Sequence, residues 1–291
     1  MPDVMLTVVV PVHNLLESGK IADFNLLIEL LDLQTSDEFE VLVLDNASND
    51  GTVEILKDYR NKGYFRFMSE RDNSKVEAWN KALMLGKGKY FVFLSCDDFI
   101  HDITAIRTAV ALMEQENADI MMSSSYVRHP DGFVFEFKPA IYNLFQAVPC
   151  MRQSMLFRKS AIAKVDYFDE KFHIMSDYDL LIRMIMNHCK PIIYDKNIVT
   201  CKYSDNMFKF PDKVNEEFSR IFFKNYRTLY KMTDDILADM VKFSHLPDGL
   251  LNKLSQFYPP QDKEFLKESV AKLESVRREA IKQQEESNNT E

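Results

Sequence analysis

The chain reads as an α/β protein with a mostly parallel central sheet and a helical C-terminal part, and three observations carry that reading. Short apolar runs alternate with longer amphipathic ones through the first third, the pattern of repeated strand–helix–strand units. Most of these short runs are apolar throughout rather than at every second residue, as strands covered on both faces require. From about Asp212 onward the helical period takes over almost without interruption.

The first four strands are expected over Leu6–Val12, Phe39–Leu44, Tyr64–Met68 and Tyr90–Leu94. Helices are expected between them. The first covers about Lys20 to Leu31, and the second follows Asn49-Asp50-Gly51-Thr52 with Asp50 as its N-cap. The third opens at Ser74-Lys75-Val76-Glu77, which has the spacing of a capping box. A helix over Ile103 to Glu114 and a strand over Asp119 to Val127 come next. His129-Pro130-Asp131-Gly132 has the chemistry of a hairpin turn, because proline presets one dihedral and Asp-Gly tolerates positive φ. Gln153–Phe157 reads as a strand, Ser176 as the cap of a helix with Leu180, Leu181, Met184 and Ile185 on its apolar side, and Pro191–Thr200 as a strand. The expected division is a nucleotide-binding domain over residues 1–205 and a helical extension over 206–291. In the extension, Phe218, Phe222, Tyr226 and Tyr230 form an i, i+4 stripe flanked by Lys213, Arg220, Lys224 and Arg227. Such a stripe either packs on its own domain or makes peripheral contact with a membrane that carries a lipid-linked acceptor.

Composition removes several classes of function. The 291 residues, 46% of them apolar, can bury a full core, while 36 basic residues against 45 acidic ones argue against a nucleic-acid partner. Only seven glycines are present, and neither GxGxxG nor GxxxxGK[ST] occurs, so any phosphate must be held without a glycine cradle. Cys96, Cys150, Cys189 and Cys201 show no CxxC or His/Cys ligand spacing, which points to reduced thiols rather than a zinc site. No apolar stretch approaches the roughly 20 residues that span a bilayer. The run Leu6–Val12 follows an acidic start and contains a proline, so it reads as a strand rather than a signal peptide. A cytoplasmic location, at the inner face of the membrane if the acceptor is lipid-linked, is the expectation.

Four constellations carry the chemistry. Pro11, His13 and Asn14 stand at the carboxyl end of the first strand, where parallel sheets bind ligands; the plain alternative is a strand terminator and a loop histidine. Asp45, in Asp45-Asn46-Ala47-Ser48-Asn49-Asp50, is placed to accept the imide proton of a uracil, although the same loop is also an ordinary polar turn. Ser95-Cys96-Asp97-Asp98 sets two adjacent carboxylates after a buried strand, which calls for a cation or for solvent. Magnesium or manganese held there would bridge a nucleotide's diphosphate. Finally, Ser176-Asp177-Tyr178-Asp179 opens a helix, where first-turn acids suit the positive helix end and an ionised aspartate can also serve as a base.

Taken in order along the chain, these motifs resemble the family 2 glycosyltransferases of the GT-A fold over about Leu6 to Cys201. Thr7-Val8-Val9-Val10-Pro11-Val12-His13-Asn14 resembles the family's opening strand, and Asp45 to Thr52 its uracil-side loop. Glu77-Ala78-Trp79-Asn80-Lys81-Ala82 with Gly88-Lys89-Tyr90 resembles the helix and strand leading to the metal motif. Phe168-Asp169-Glu170 and Asp177-Tyr178-Asp179-Leu180, with Arg183, resemble the acceptor-side helix.

The resemblance implies that Pro11, His13, Asn14 and Asp45 hold the nucleobase, that Asn80 and Ser95 border the donor, that Asp97 and Asp98 hold Mn²⁺ or Mg²⁺, and that Asp177 is the general base of an inverting transfer. The implied substrates are a UDP-sugar donor and a saccharide or lipid-linked acceptor, as in polysaccharide biosynthesis. Four positions depart from the pattern: Ser95 stands where the family has an aspartate, Ser74 and Trp79 where relatives carry glycine and arginine, and Ser176 where an acid precedes the base. Two other readings compete. The missing aspartate at Ser95 suits a nucleotide-sugar-binding protein without catalysis. A nucleotidyltransferase calls for a Gly- and Arg-rich loop where this chain has Leu15-Leu16-Glu17.

Overall fold

The computed structural model describes residues 3–100, 102–203 and 210–288. It divides into two compact units, the first comprising Met1–Pro139, Cys150–Leu180 and Cys189–Ser204, the second Ala140–Pro149, Leu181–His188 and Asp205–Glu291.

The first unit is built on a mixed sheet of eight strands: β1 (Leu6–Val12), β2 (Phe39–Asp45), β3 (Arg66–Ser69), β4 (Tyr90–Phe93), β5 (Ile120–Arg128), β6 (Val134–Phe137), β7 (Met155–Arg158) and β8 (Pro191–Lys202). The order is β3-β2-β1-β4-β7-β5-β6, with β8 added to β5. Strands β3, β2, β1 and β4 run parallel, as does the β5–β8 pair, while β7 is antiparallel to both β4 and β5. The parallel half arises because β1, β2, β3 and β4 are joined through the helices α1 (Ile21–Asp32), α2 (Thr52–Asn61) and α3 (Lys75–Leu85). Val8, Val9 and Val10 of β1 and Tyr90, Phe91 and Phe93 of β4 are fully buried, so these strands are covered on both faces. Helix α1 closes one face with Phe24, Leu27, Ile28 and Leu31, the i, i+3, i+4, i+7 stripe.

Local chemistry sets the element boundaries. The second helix starts at Thr52 with Gly51, at φ 97°, in the cap position. Asp50 therefore acts one residue earlier than expected, its carboxylate accepting the Thr52 amide at 3.0 Å and the Glu17 amide at 2.8 Å. Ser74 caps α3 by accepting the Glu77 amide at 3.1 Å, and the Glu77 carboxylate reaches back to the Asn73 amide at 2.8 Å. Strand β3 starts at Arg66 rather than Tyr64, because Gly63 takes φ 87° and the Tyr64 amide still bonds back to Tyr59. The hairpin between β5 and β6 forms at His129–Gly132, closed by the Gly132 amide on the His129 carbonyl at 2.9 Å. A 3₁₀ turn at Arg152–Ser154 replaces the start of the strand expected from Gln153. Around Ser176 the expected cap is absent. Helix α6 (Ser176–Met186) does begin there, but the Ser176 hydroxyl is buried without a hydrogen-bond partner.

The remaining helices of the first unit are α4 (Ala105–Gln115) and α5 (Lys159–Lys164). The second unit holds α7 (Pro211–Tyr226), α8 (Asp234–Phe243), α9 (Asp248–Leu254) and α10 (Lys263–Asn288). Phe222 and Tyr226 of the aromatic stripe are fully buried within it, their rings stacked 5.7 Å apart, and the Tyr226 hydroxyl donates to the Phe145 carbonyl at 3.3 Å. The stripe thus packs on its own unit. Among the described residues no helix is long and apolar enough to cross a membrane.

Close approach of the α3–β4 connection to β1 aligns the strands that carry the site. The Gly88 amide donates to the Thr7 hydroxyl at 2.9 Å. A Cβ on Gly88 would lie 2.7 Å from the Leu6 carbonyl carbon and closer still to the Thr7 amide, with backbone that cannot swing away. Gly88→Ala is expected to destabilise the fold by about 1–3 kcal/mol, the range for overpacking. Urea unfolding with an unchanged midpoint would show that the approach is looser than described.

Candidate active site

The carboxyl edge of the parallel strands gathers the residues singled out in the sequence. At the β1 and β2 ends, two loops clasp each other. The Asn14 amide donates to the Ser48 hydroxyl at 2.7 Å, and the Asn49 amide donates to the Asn14 carboxamide oxygen at 3.1 Å. Asn14 adopts φ 45°, a left-handed conformation that asparagine tolerates better than most side chains. Asp45 is 1% exposed and is met by serines: its carboxylate accepts the Ser48 amide at 3.0 Å, the Ser69 hydroxyl at 2.6 Å and the Ser48 hydroxyl. The Asp45 carboxylate therefore organises this loop from within, and Ser69 is a contributor that sequence reasoning missed. Pro11 is half-buried opposite Leu44, and His13 is exposed at the end of β1.

The β4 end carries the acidic pair. Asp97 is nearly buried and is met by two lysines, Lys20 Nζ at 3.2 Å and Lys202 Nζ at 3.7 Å. Burial works against the Lys20 ammonium, but Asp97 holds its pKa above the ordinary lysine range. Asp98 is fully buried. Its Oδ2 accepts the Ser95 amide at 2.6 Å, while Oδ1 has no hydrogen-bond partner. Burial pushes the Asp98 carboxyl up to about 6, with the Ser95 amide and the Arg152 guanidinium pulling the other way. The loop is pinned beyond the pair by Phe99, whose amide and carbonyl exchange bonds with Thr200 at 2.9 and 2.8 Å. Lys20 and Lys202 lie far from the acids in sequence and gave no local signal.

From the other side come α3, the 3₁₀ turn and the first turn of α6. Trp79 is 2% exposed, wedged against Phe168 at 5.2 Å and Phe93 at 5.8 Å. Over its ring stand the Arg152 guanidinium at 4.4 Å and the Lys75 ammonium at 5.1 Å. The Lys75 side chain is solvent-accessible, yet its ammonium is held down to about 8, first by the Arg152 charge and then by burial, with Asp177 and Asp98 acting in opposition. Asp177 and Asp98, from two different elements, thus both favour the charge of this one lysine. Asp177 is half-buried, with its carboxylate on the Tyr178 amide at 2.9 Å. Asn80 is engaged by a neighbouring loop: its carboxamide donates to the Phe168 carbonyl and to Glu170, both at 3.0 Å, and accepts the Phe168 amide at 3.1 Å. It fixes the loop that leads towards α6.

Among the described residues there is no group of three or more His, Cys, Asp or Glu side chains able to hold a metal. The Asp97–Asp98 pair, with one orphaned buried oxygen, instead fits a cation of the kind that takes one or two protein carboxylates and completes its shell with phosphate and water. All four cysteines are buried free thiols.

Comparison with known proteins places this geometry. Residues 1–349 of TarS from Staphylococcus aureus, solved with UDP-GlcNAc, superpose with a TM-score of 0.62 at 16% identity, covering 96% of this chain and 92% of that one. The mannosyltransferase PcManGT of Pyrobaculum calidifontis, solved with GDP-Man and Mn²⁺, gives 0.58 at 16% identity, covering 94% and 76%. The fold is therefore that of GT-A glycosyltransferases. The model of glycosyl transferase family 2 matches residues 7–180, and the chain belongs to that family. An uncharacterized glycosyltransferase of Methanocaldococcus jannaschii is 29% identical over 174 residues, which are 56% of this chain and 60% of that protein. A PGL/p-HBAD biosynthesis glycosyltransferase of Mycobacterium tuberculosis is 24% identical over 178 residues, 59% and 68% of the two chains.

The raised Asp98 carboxyl has a measurable consequence. Its folded value lies above the ordinary carboxylate value, so the folded chain keeps a proton that the unfolded chain releases. Stability tied to this group is present at low pH and lost as pH rises from about 4 through 6, by roughly 3 kcal/mol in all. With a chelator present, Asp98→Asn should gain stability over the parent, and the gain should grow between pH 4 and pH 7.5. A urea-midpoint difference that stays constant across that range would refute the desolvated carboxyl.

Proposed function

We propose that the chain transfers a sugar, with inversion, from a nucleoside-diphosphate donor of the UDP-sugar type to a hydroxyl of a saccharide or lipid-linked acceptor. The observation that carries the reading is the buried Asp97–Asp98 pair after β4, with one Asp98 oxygen unpartnered, whose Asp98 charge acts on the same Lys75 as that of Asp177. It joins an acid at the start of α6 to the acidic pair after β4, as transfer between a bound donor and an acceptor requires. Family membership and the nucleotide sugars named in the two structural neighbours support it.

In this reading Asp177 takes the proton from the acceptor hydroxyl as that oxygen attacks the anomeric carbon. The nucleobase lies over the clasped β1 and β2 loops, with Pro11, His13 and Asn14 on one side and the Asp45–Ser48 network on the other. Reaching the Asp45 carboxylate requires a serine hydroxyl to turn aside. Asn80 acts at one remove, through the Phe168–Glu170 loop. Ser95 contributes its amide to Asp98. A Mn²⁺ or Mg²⁺ ion held by Asp97 and Asp98 would offset negative charge on the departing diphosphate. We assign catalysis to residues 1–205 and read 206–291 as a helical extension, since every residue named here lies in the first unit.

Asp177→Asn should lower kcat by about 10²–10⁴-fold, the usual contribution of a general base, and leave donor affinity nearly unchanged. Normal turnover in this variant would remove Asp177 from the chemistry. Asp97→Ala should weaken Mn²⁺ and UDP together in calorimetry. Equal affinities in parent and variant would remove the cation from this pair.

A further inference from the structure

Two cations share the ring of Trp79, and among the described residues neither is ion-paired with an acid. The Arg152 guanidinium carbon is 4.4 Å from the ring centroid and the Lys75 nitrogen 5.1 Å. The Arg152 Nε is buried and has no hydrogen-bond partner. Like charges held this close repel, and a buried donor without an acceptor is a further cost, so the arrangement is unfavourable as it stands. Trp79 cannot relieve it by moving, because Phe168 and Phe93 pack against its ring. The attraction of the ring for cations holds them in place but supplies neither a counter-charge nor an acceptor for the orphaned Nε.

We propose that Lys75 and Arg152, seated on Trp79, form a clamp for a diphosphate, and that the leaving-group end of the donor lies between them. The assignment of the diphosphate to a sugar donor rests on the function proposed above; the clamp itself rests on the geometry of the three side chains. An oxyanion supplies what is missing at both places. It is an acceptor for the planar guanidinium fork, which suits phosphate oxygens, and a counter-charge for the ammonium. Other anionic side chains in reach fit less well. Asp98 and Asp177, the acids that Lys75 senses, each place one oxygen on a backbone amide, of Ser95 and Tyr178, and among the described residues neither reaches the Lys75 or Arg152 nitrogens at ion-pair distance. The site also has a place for the clamp to act. Its charges are coupled to Asp98 of the acidic pair, so protein cations and a metal held by the pair would both be available to the diphosphate. Charge compensation of the leaving group is then shared between them, and diphosphate binding should persist in part when divalent cations are removed.

Calorimetry on the full chain with inorganic pyrophosphate, uridine and UDP, each with EDTA and with Mn²⁺, tests this. In EDTA the parent should bind pyrophosphate, and UDP at least ~10-fold more tightly than uridine. Arg152→Gln and Lys75→Gln should each weaken pyrophosphate and UDP by ~10-fold or more while leaving uridine affinity unchanged. Both replacements leave a shorter, neutral polar side chain and remove a repelling charge, and thermal unfolding checks that each variant is folded. Arg152→Lys should recover part of the loss. Parent protein that does not bind pyrophosphate, or variants that bind it as well as the parent, would overturn the clamp. A parent that binds pyrophosphate through Arg152 and Lys75 but ignores uridine would uphold the clamp and sink the nucleotide-sugar reading instead.

Discussion

Strand β4 is solvent-free from Tyr90 to Phe93, and within five residues of its end the chain delivers two consecutive carboxylates into the same buried region. Charge in such a place must be matched, screened or discharged, and this site uses all three routes unequally. Asp97 is matched by Lys20 and Lys202. Asp98 receives an amide at one oxygen and nothing at the other, and its proton is correspondingly harder to remove. The second oxygen is therefore a buried place in the pair where a ligand gains without displacing a protein partner. That asymmetry gives the two acids different roles although they are neighbours in sequence.

The sheet explains why so many of the site's groups reach this point. β1, β2 and β4 run parallel, so their carboxyl ends open on one edge, where Asn14, Asp45 and Asp98 stand at or just beyond the strand ends. β8 runs parallel to β5 and ends at Lys202, bringing a cation to Asp97 from the far side of the pair. Its Thr200 clips Phe99, so the acidic loop is tied down at both ends rather than free to swing.

Legibility in the sequence followed the range of the interactions. The strands β1, β2 and β4, the helices between them and the hairpin at His129–Gly132 rest on local pattern and turn chemistry, and they were readable to within a residue or two. Ser74 was readable as a cap because its partner Glu77 is three residues away. The cap assigned to Ser176 was not, since a serine before acidic residues looks the same whether its hydroxyl meets an amide or is buried alone. The acids of the site announced themselves by following apolar runs. The cations that answer them did not, because Lys20, Arg152 and Lys202 come from separate elements and no spacing links them to Asp97 or Asp98. Asn80 shows the opposite difficulty: a polar residue in a recognised motif faces a loop of its own unit, and only the three bonds to Phe168 and Glu170 reveal it.

Trp79 connects these threads. A tryptophan beside a charged site is easily taken for filler, and its burial against Phe93 and Phe168 is consistent with that. Its ring, however, is the surface on which Lys75, four residues earlier on the same helix face, meets Arg152 from a distant turn. An arginine at position 79 would add a third positive charge to that pair, whereas an aromatic ring attracts both cations and brings no charge of its own. The departure at Trp79 and the placement of Arg152 are then two halves of one solution: the positive charge stands on the turn before β7, and the helix provides the platform that aims it.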